Sequence, residues 1–115
     1  MPEIKLGGNI SLVGFDQLDN AELVIIKKIV GNSIKKMSES GDYKEMKITL
    51  VQHPHGKSFK HEVEASAFFA EGRFASNITE RNLFTAVSEV CEKINSELVH
   101  KQKKEQRHDK LTYNR

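Results

Sequence analysis

The chain has 115 residues and a formal net charge of +2, with 37% apolar and 30% charged residues. This length suits one domain with a single modest core. No run of about 18 apolar residues is present, so no segment is expected to span a bilayer. The N-terminus lacks the basic and then apolar build of a secretory signal, and the single cysteine, Cys91, excludes an internal disulfide. We therefore expect a cytoplasmic protein.

The first third of the chain predicts a strand followed by a helix. Residues 4–8 form a short extended segment, and residues 9–15 alternate in polarity as a first strand does. Asp19 and Glu22 have the spacing of a capping box at a helix start, and Gly41 is the expected C-cap. The apolar residues of this helix recur at helical spacing: Leu23, Ile26, Val30, Ile34 and Met37.

The middle of the chain predicts three more strands. Residues 43–52 and 59–69 alternate between apolar and polar side chains, which is the period of half-buried strands. Residues 53–57 contain proline and glycine and indicate the turn between them. Residues 73–78 follow a second turn as a last short strand. Consecutive hairpins predict a four-stranded, largely antiparallel sheet.

The end of the chain predicts one long helix with an apolar first half and a cationic second half. Thr79 is the expected N-cap, with Glu80 in the first turn. The apolar stripe consists of Leu83, Val87, Val90, Ile94 and Leu98, widened by Phe84 and Cys91. We expect one domain over residues 1–110 and a disordered tail over residues 111–115.

These elements predict an α+β fold, a two-layer β-α-β-β-β-α sandwich with both helices on one face of the sheet. The other face of the sheet would be open to solvent. After the first strand, the order α-β-β-β-α resembles that of double-stranded RNA-binding domains, which recognise shape and phosphates.

Three groups of residues could carry chemistry, and each has a simpler explanation. His53, His55 and His61 lie close in sequence, but no cysteine or carboxylate accompanies them at metal-ligand spacing. Cys91 lies on the apolar stripe of a helix, where a cysteine is usually a small buried hydrophobe. Glu62 and Glu64 share one strand face and fit the solvated side of a sheet. Nothing in the sequence argues for an enzyme, a cofactor or a bound metal.

The distribution of positive charge points to an anionic partner. Lys27, Lys28, Lys35 and Lys36 form one cluster on the first helix. A second cluster follows Leu98 and contains Lys101, Lys103, Lys104, Arg107 and Lys110. If both helices lie on the same face of the sheet, the two clusters can join into one surface for phosphates. Lysines also serve simply as solubilising residues, so the charge pattern alone leaves both interpretations open.

The last strand and helix resemble the end of the ribosome hibernation promoting factors, also known as ribosome-associated inhibitors. The residues that carry the resemblance are 74–76, 82–87, 91–94 and Leu98, followed by the basic segment 101–110. Asn82 and Phe84 stand where that family usually has an acid and a tyrosine. The order of elements and the length are similar to the short form of the family, so the resemblance covers nearly the whole chain.

The resemblance implies a stress-associated translation inhibitor that catalyses no reaction. Such proteins bind ribosomal RNA in the mRNA and tRNA channel of the small subunit, through basic residues of both helices. Carried over to this sequence, the RNA-binding residues are Lys27, Lys28, Lys35, Lys36, Lys93, Lys101, Lys103, Lys104 and Arg107. Lys47 and Arg73 on the sheet are weaker candidates.

The implied protein is a monomer or a weak dimer, with no membrane or small-molecule partner. The alternative function is a protein-binding module of the same fold, with Phe68 or Val51 of the open sheet face as contacts. The two functions differ in their salt response, because phosphate binding weakens steeply with salt and apolar contacts do not.

Overall fold

The described residues form strands and helices in the order β-β-α-β-β-β-α. The structure, a computed structural model, describes the backbone of residues 2–113 and the side chains of residues 2–102. The tail predicted at residues 111–115 therefore lies outside the described side chains. The strands are β1 (Glu3–Leu6), β2 (Ile10–Val13), β3 (Tyr43–His55), β4 (Ser58–Phe69) and β5 (Gly72–Glu80), and the helices are α1 (Asn20–Met37) and α2 (Leu83–Tyr113).

Within the described residues, the strands form one five-stranded sheet in the spatial order β1-β2-β3-β4-β5. Neighbouring strands are antiparallel except β2 and β3, which are parallel because the crossover through α1 returns the chain to the same end of the sheet. The α+β class with two helices is confirmed. The sheet is mixed, however, and has one strand more than the four predicted. The expected likeness to double-stranded RNA-binding domains is not confirmed.

The additional strand, β1, was missed because it is short and only half-buried. Its apolar residues Ile4 and Leu6 pack at the margin of the core. A turn over residues 7–9 joins β1 to β2, and Gly8 and Asn9 both have positive φ angles, 74° and 59°. Glycine and asparagine tolerate this left-handed conformation best, so the sequence Gly-Gly-Asn supports a hairpin rather than the continuous extended segment expected over residues 4–8.

Both helices cover the same face of the sheet, as predicted. Alternate residues at the centres of β3 and β4 are buried beneath them. The stripe predicted on α2 is buried along its whole length, from Leu83 through Val87, Val90 and Ile94 to Leu98. Burying a side chain of this size contributes about 1.5–3 kcal/mol relative to leaving it exposed. Among the described residues, neither helix is long and apolar enough to cross a membrane.

The N-terminal ends of the helices are fixed by side-chain caps. The capping box of α1 is confirmed, because Asp19 Oδ1 accepts the Glu22 N–H at 2.8 Å and Glu22 Oε1 accepts the Asp19 N–H at 3.2 Å. The predicted start of α2 was wrong. Thr79 stays within β5, and Asn82 caps the helix by accepting the Thr85 N–H at 2.9 Å.

The C-terminal end of α1 also differs from the prediction. The helix ends at Met37 with Ser38 as its C-cap, three residues before the predicted Gly41. Gly41 has a different role, since a Cβ there would lie 3.0 Å from Leu98 Cδ1 and 3.0 Å from Glu71 Oε1. The missing side chain lets the loop between α1 and β3 pass close to α2 and to the turn between β4 and β5.

Candidate nucleic-acid interface

The exposed surface of α1 is strongly cationic. Lys27, Lys28, Lys35 and Lys36 are all exposed, whereas Ile26, Val30 and Met37 of the same helix are fully buried. Glu22 is the only acidic residue between Asn20 and Met37, and it lies in the first turn, where the helix dipole favours negative charge. We call the four exposed lysines the α1 lysine surface.

The α1 lysine surface is not neutralised by neighbouring carboxylates. Among the residues with described side chains, the ion pairs within 4.0 Å join Lys44 to Asp42 and His53 to Glu62. No lysine of α1 takes part in either pair. Their ammonium groups therefore remain available to an external anion.

Two apolar side chains beside these lysines were not predicted as surface residues. Val24 is 61% exposed and Ile25 is 44% exposed, and both lie outside the apolar stripe that packs on the sheet. Their positions off the helical period are the signal that marks them as surface residues in the sequence. The outer side of α1 thus combines positive charge with exposed apolar groups.

The predicted basic residues of α2 divide into three cases. Lys93 is exposed and keeps its ammonium group free of described hydrogen bonds. Lys101 is half-buried, donates a hydrogen bond to the Glu71 carbonyl oxygen, and lies with Nζ 5.6 Å from the ring centroid of Phe74. Lys101 therefore anchors α2 to the turn between β4 and β5. The side chains of Lys103, Lys104 and Arg107 lie outside the described residues.

The described part of α2 is less cationic than α1. Between Glu89 and Lys101 its acidic residues outnumber its basic residues, since Glu89, Glu92 and Glu97 oppose only Lys93 and Lys101. Positive charge on this helix is concentrated beyond residue 102. The α1 lysine surface therefore provides most of the described positive charge on the helical side of the molecule.

The two helices lie side by side on the same face of the sheet, which was the condition for joining their charged clusters. A cavity of about 20 Å³ lies between them, and its lining includes Ser33 and Lys36 of α1 with Cys91, Glu92 and Asn95 of α2. Burial raises the pKa of the Cys91 thiol to about 11, in spite of a hydrogen bond with Ser33. Cys91 is therefore a buried structural residue rather than a thiolate nucleophile.

The open face of the sheet carries charges of both signs. Arg73 Nη2 donates to Ser66 Oγ at 3.0 Å, and its guanidinium carbon lies 5.8 Å from the ring centroid of Phe68. Lys47 is exposed on β3, and the exposed Glu64 of β4 lies opposite Thr49, two residues further along β3 on the same face. Alternating signs on one face do not favour a polyanion.

His53, His61 and Glu62, which were considered for chemistry, have structural partners. His53 Nε2 lies 2.8 Å from Glu62 Oε1, and Asn77 Nδ2 donates to Glu62 Oε2 at 2.8 Å. The hydrogen bonds from His53 and Asn77 hold the pKa of Glu62 below its usual value. His61 Nδ1 lies 2.8 Å from the Arg81 carbonyl oxygen. No group of three metal-ligating side chains comes together among the described residues.

Comparison with known proteins gives a structural likeness and no match by sequence. A scan of protein families and a search of curated proteins found no significant match. Among solved structures, the crystal structure of the N-terminal domain of Thermus thermophilus Protein Y is similar, with a TM-score of 0.55 and 14% sequence identity. The alignment covers 77% of this chain and 92% of the Thermus domain. At this identity the likeness shows a shared fold.

The lowered pKa of Glu62 predicts a contribution to acid stability. A carboxyl group with a lower pKa in the folded state stabilises the fold above its unfolded value of 4.5, and this contribution is lost as the pH falls through the folded pKa. We expect Glu62→Gln to be less stable than the wild type at neutral pH, and the difference in Tm to shrink on acidification. Glu64→Gln is the control, and thermal melts at several pH values are the measurement. A difference that is independent of pH would contradict this account.

The anchoring contact of Lys101 predicts a loss of stability when its charge is removed. Lys101→Met keeps the apolar stem and removes the hydrogen bond to the Glu71 carbonyl, so we expect the free energy of unfolding to fall by about 1–2 kcal/mol. Lys93→Met is the matched control on the exposed side of α2, with an expected change within about 0.5 kcal/mol. Urea unfolding of both variants measures the difference, and equal stabilities would show that Lys101 is not an anchor.

Proposed function

We propose that the protein associates with the ribosome and binds ribosomal RNA through the α1 lysine surface. The observation that carries this proposal is the set of four exposed lysines that no described carboxylate neutralises. Phosphate groups of RNA are the natural partner for such a surface, because binding releases the counterions condensed on the nucleic acid. A neutral or cationic partner would gain nothing from it.

Two lines of reasoning support a ribosomal partner. The sequence of the last strand and helix resembles the ribosome hibernation promoting factors. The backbone is similar to that of the Protein Y N-terminal domain, which supports the same family at the level of the fold. On this basis, the proposed site is the mRNA and tRNA channel of the small subunit, in the cytoplasm.

In the proposed mechanism, the protein blocks the mRNA and tRNA channel sterically, and its lysines anchor it to RNA phosphates by electrostatic attraction. No reaction is part of this mechanism. Exposed aromatic side chains are absent from the described part of α1, so its lysines are suited to contact phosphates rather than to stack on bases. Val24 and Ile25 add an apolar contact that would persist at salt concentrations where the ionic contacts weaken.

The two helices have unequal parts in this proposal. α1 presents its four lysines without ion pairs, whereas Lys101 of α2 is already engaged in holding the helix in place. Lys93 remains a proposed contact. Lys103, Lys104 and Arg107 are proposed contacts from the sequence alone.

A protein-binding role for the open sheet face is the second candidate. Phe68 is 40% exposed there, next to the Arg73 guanidinium, and the surrounding charges are mixed. An aromatic side chain beside an arginine is typical of protein interfaces. Such a contact would depend little on salt.

Co-sedimentation with purified bacterial ribosomes over a salt series tests the proposal. The test variant replaces Lys27, Lys28, Lys35 and Lys36 with Gln, and the control replaces the exposed lysines Lys5, Lys44, Lys47 and Lys57 in the same way. We expect the wild type and the control to bind with the same steep salt dependence. The test variant should bind more weakly, with a log–log slope shallower by about 3, because the slope is about −0.7 to −0.9 for each phosphate contact.

The control distinguishes an effect of the α1 lysine surface from an effect of net charge, since both variants lose four positive charges. Equal losses in both variants would contradict a specific role for α1. Absence of ribosome binding by the wild type at low salt would overturn the ribosomal proposal and favour the protein-binding role. Binding that survives high salt and both sets of substitutions would contradict electrostatic anchoring.

A further inference from the structure

The outer edge of β5 is a regular strand edge with no described partner. β5 is the last strand of the sheet, and its nine residues pair with β4 without a bulge. A two-residue turn at positions 70 and 71 makes Phe69 and Gly72 a hydrogen-bonded pair. Because hydrogen bonding alternates along the strand, the backbone groups of Arg73, Ala75, Asn77 and Thr79 point away from β4. No described backbone hydrogen bond uses them.

The middle of this edge lacks the features that usually keep strand edges apart. Between Arg73 and Glu80 the strand contains no charged residue and no proline. The side chains of Ala75, Asn77 and Thr79 are exposed and small. The opposite edge of the sheet is different, since β1 has only four residues and carries two charged side chains, Glu3 and Lys5. Of the two edges of the described sheet, the β5 edge is therefore the longer and the more open to another strand.

The neighbouring side of α2 carries charges that complement each other in an antiparallel arrangement. Glu89, Lys93 and Glu97 recur every four residues and share one flank of the helix. The opposite flank contacts α1 through Cys91. The charged flank therefore lies toward the β5 edge, where Lys101 reaches over Phe74. A shallow apolar groove runs along this flank and is lined by Lys93, Ser96, Glu97, His100 and Lys101.

We propose that the β5 edge binds a second copy of this chain, with the two β5 strands antiparallel about a two-fold axis at Ser76. In this register Ala75 of one copy lies opposite Asn77 of the other, and Arg73 lies opposite Thr79. All the outward backbone groups of both copies are then paired. The contact is isologous, so it closes as a dimer and does not propagate.

The helices fit this arrangement. The two-fold axis is perpendicular to the sheet, so both helical layers lie on the same side and the two α2 helices run antiparallel. α2 packs over β4 and β5. Strands are about 4.8 Å apart, so the two α2 axes would lie about 10 Å apart, an ordinary distance for packed helices. Lys93 of each copy then faces the flank of the other helix that carries Glu89 and Glu97, which gives ion pairs by symmetry.

Analytical ultracentrifugation of the purified protein from micromolar to millimolar concentration tests the dimer. The wild type should show a reversible monomer–dimer equilibrium. Ala75→Pro removes an outward N–H without removing a hydrogen bond to β4, so it should abolish the dimer. Lys93→Glu and Glu97→Lys should each weaken the dimer by about tenfold, because each places like charges opposite each other. The double variant Lys93→Glu/Glu97→Lys should restore it.

Lys47→Glu is the matched control, because it makes the same change of charge on the open sheet face and should leave the dimer unchanged. A wild type that stays monomeric over the whole range overturns the proposal. So does a dimer that survives Ala75→Pro and both single charge reversals. If Ala75→Pro fails to fold, the charge series decides alone. Failure of the double variant to regain the dimer would overturn the antiparallel arrangement.

Discussion

Burial of one sheet face beneath two helices is the constraint on which the rest of the structure depends. The apolar residues of α1 and α2 occupy one stripe on each helix, and the core closes only if both stripes face the sheet. The opposite side of α1 must then face solvent. Lys28 and Lys35, seven residues apart on that side, are exposed for this reason. The cationic surface is thus a consequence of how the core is packed.

The elements with strong local signals were predicted from the sequence, and those set by distant contacts were not. The period-2 pattern of β3 and β4 and the capping box at Asp19 are local, and both were identified. The parallel pairing of β2 with β3 depends on residues more than 30 positions apart, such as Leu12 and Ile48. The alternating pattern ends at Ile78 and so predicts Thr79 as a helix cap, whereas β5 extends two residues further, to Glu80.

The same distinction applies to the candidate interface. The exposed lysines of α1 were predicted, because a helix with one apolar stripe must expose its other residues. The anchoring role of Lys101 was not, since its partner Glu71 is 30 residues away in sequence. The α1 lysine surface and the β5 edge lie on opposite flanks of α2, so self-association through β5 would leave α1 accessible. A dimer would then present two cationic surfaces to RNA.

Directed hydroxyl-radical probing tests the central claim most directly, because it reports which surface of the protein lies next to RNA. Iron–EDTA would be tethered to a cysteine at Asn32, which is exposed on α1 between Lys28 and Lys35, or at Glu64 on the open sheet face. The native Cys91 is buried and would stay unlabelled. In complexes with ribosomes, we predict cleavage of small-subunit RNA from position 32 and little from position 64. Cleavage from position 64 alone would contradict the account.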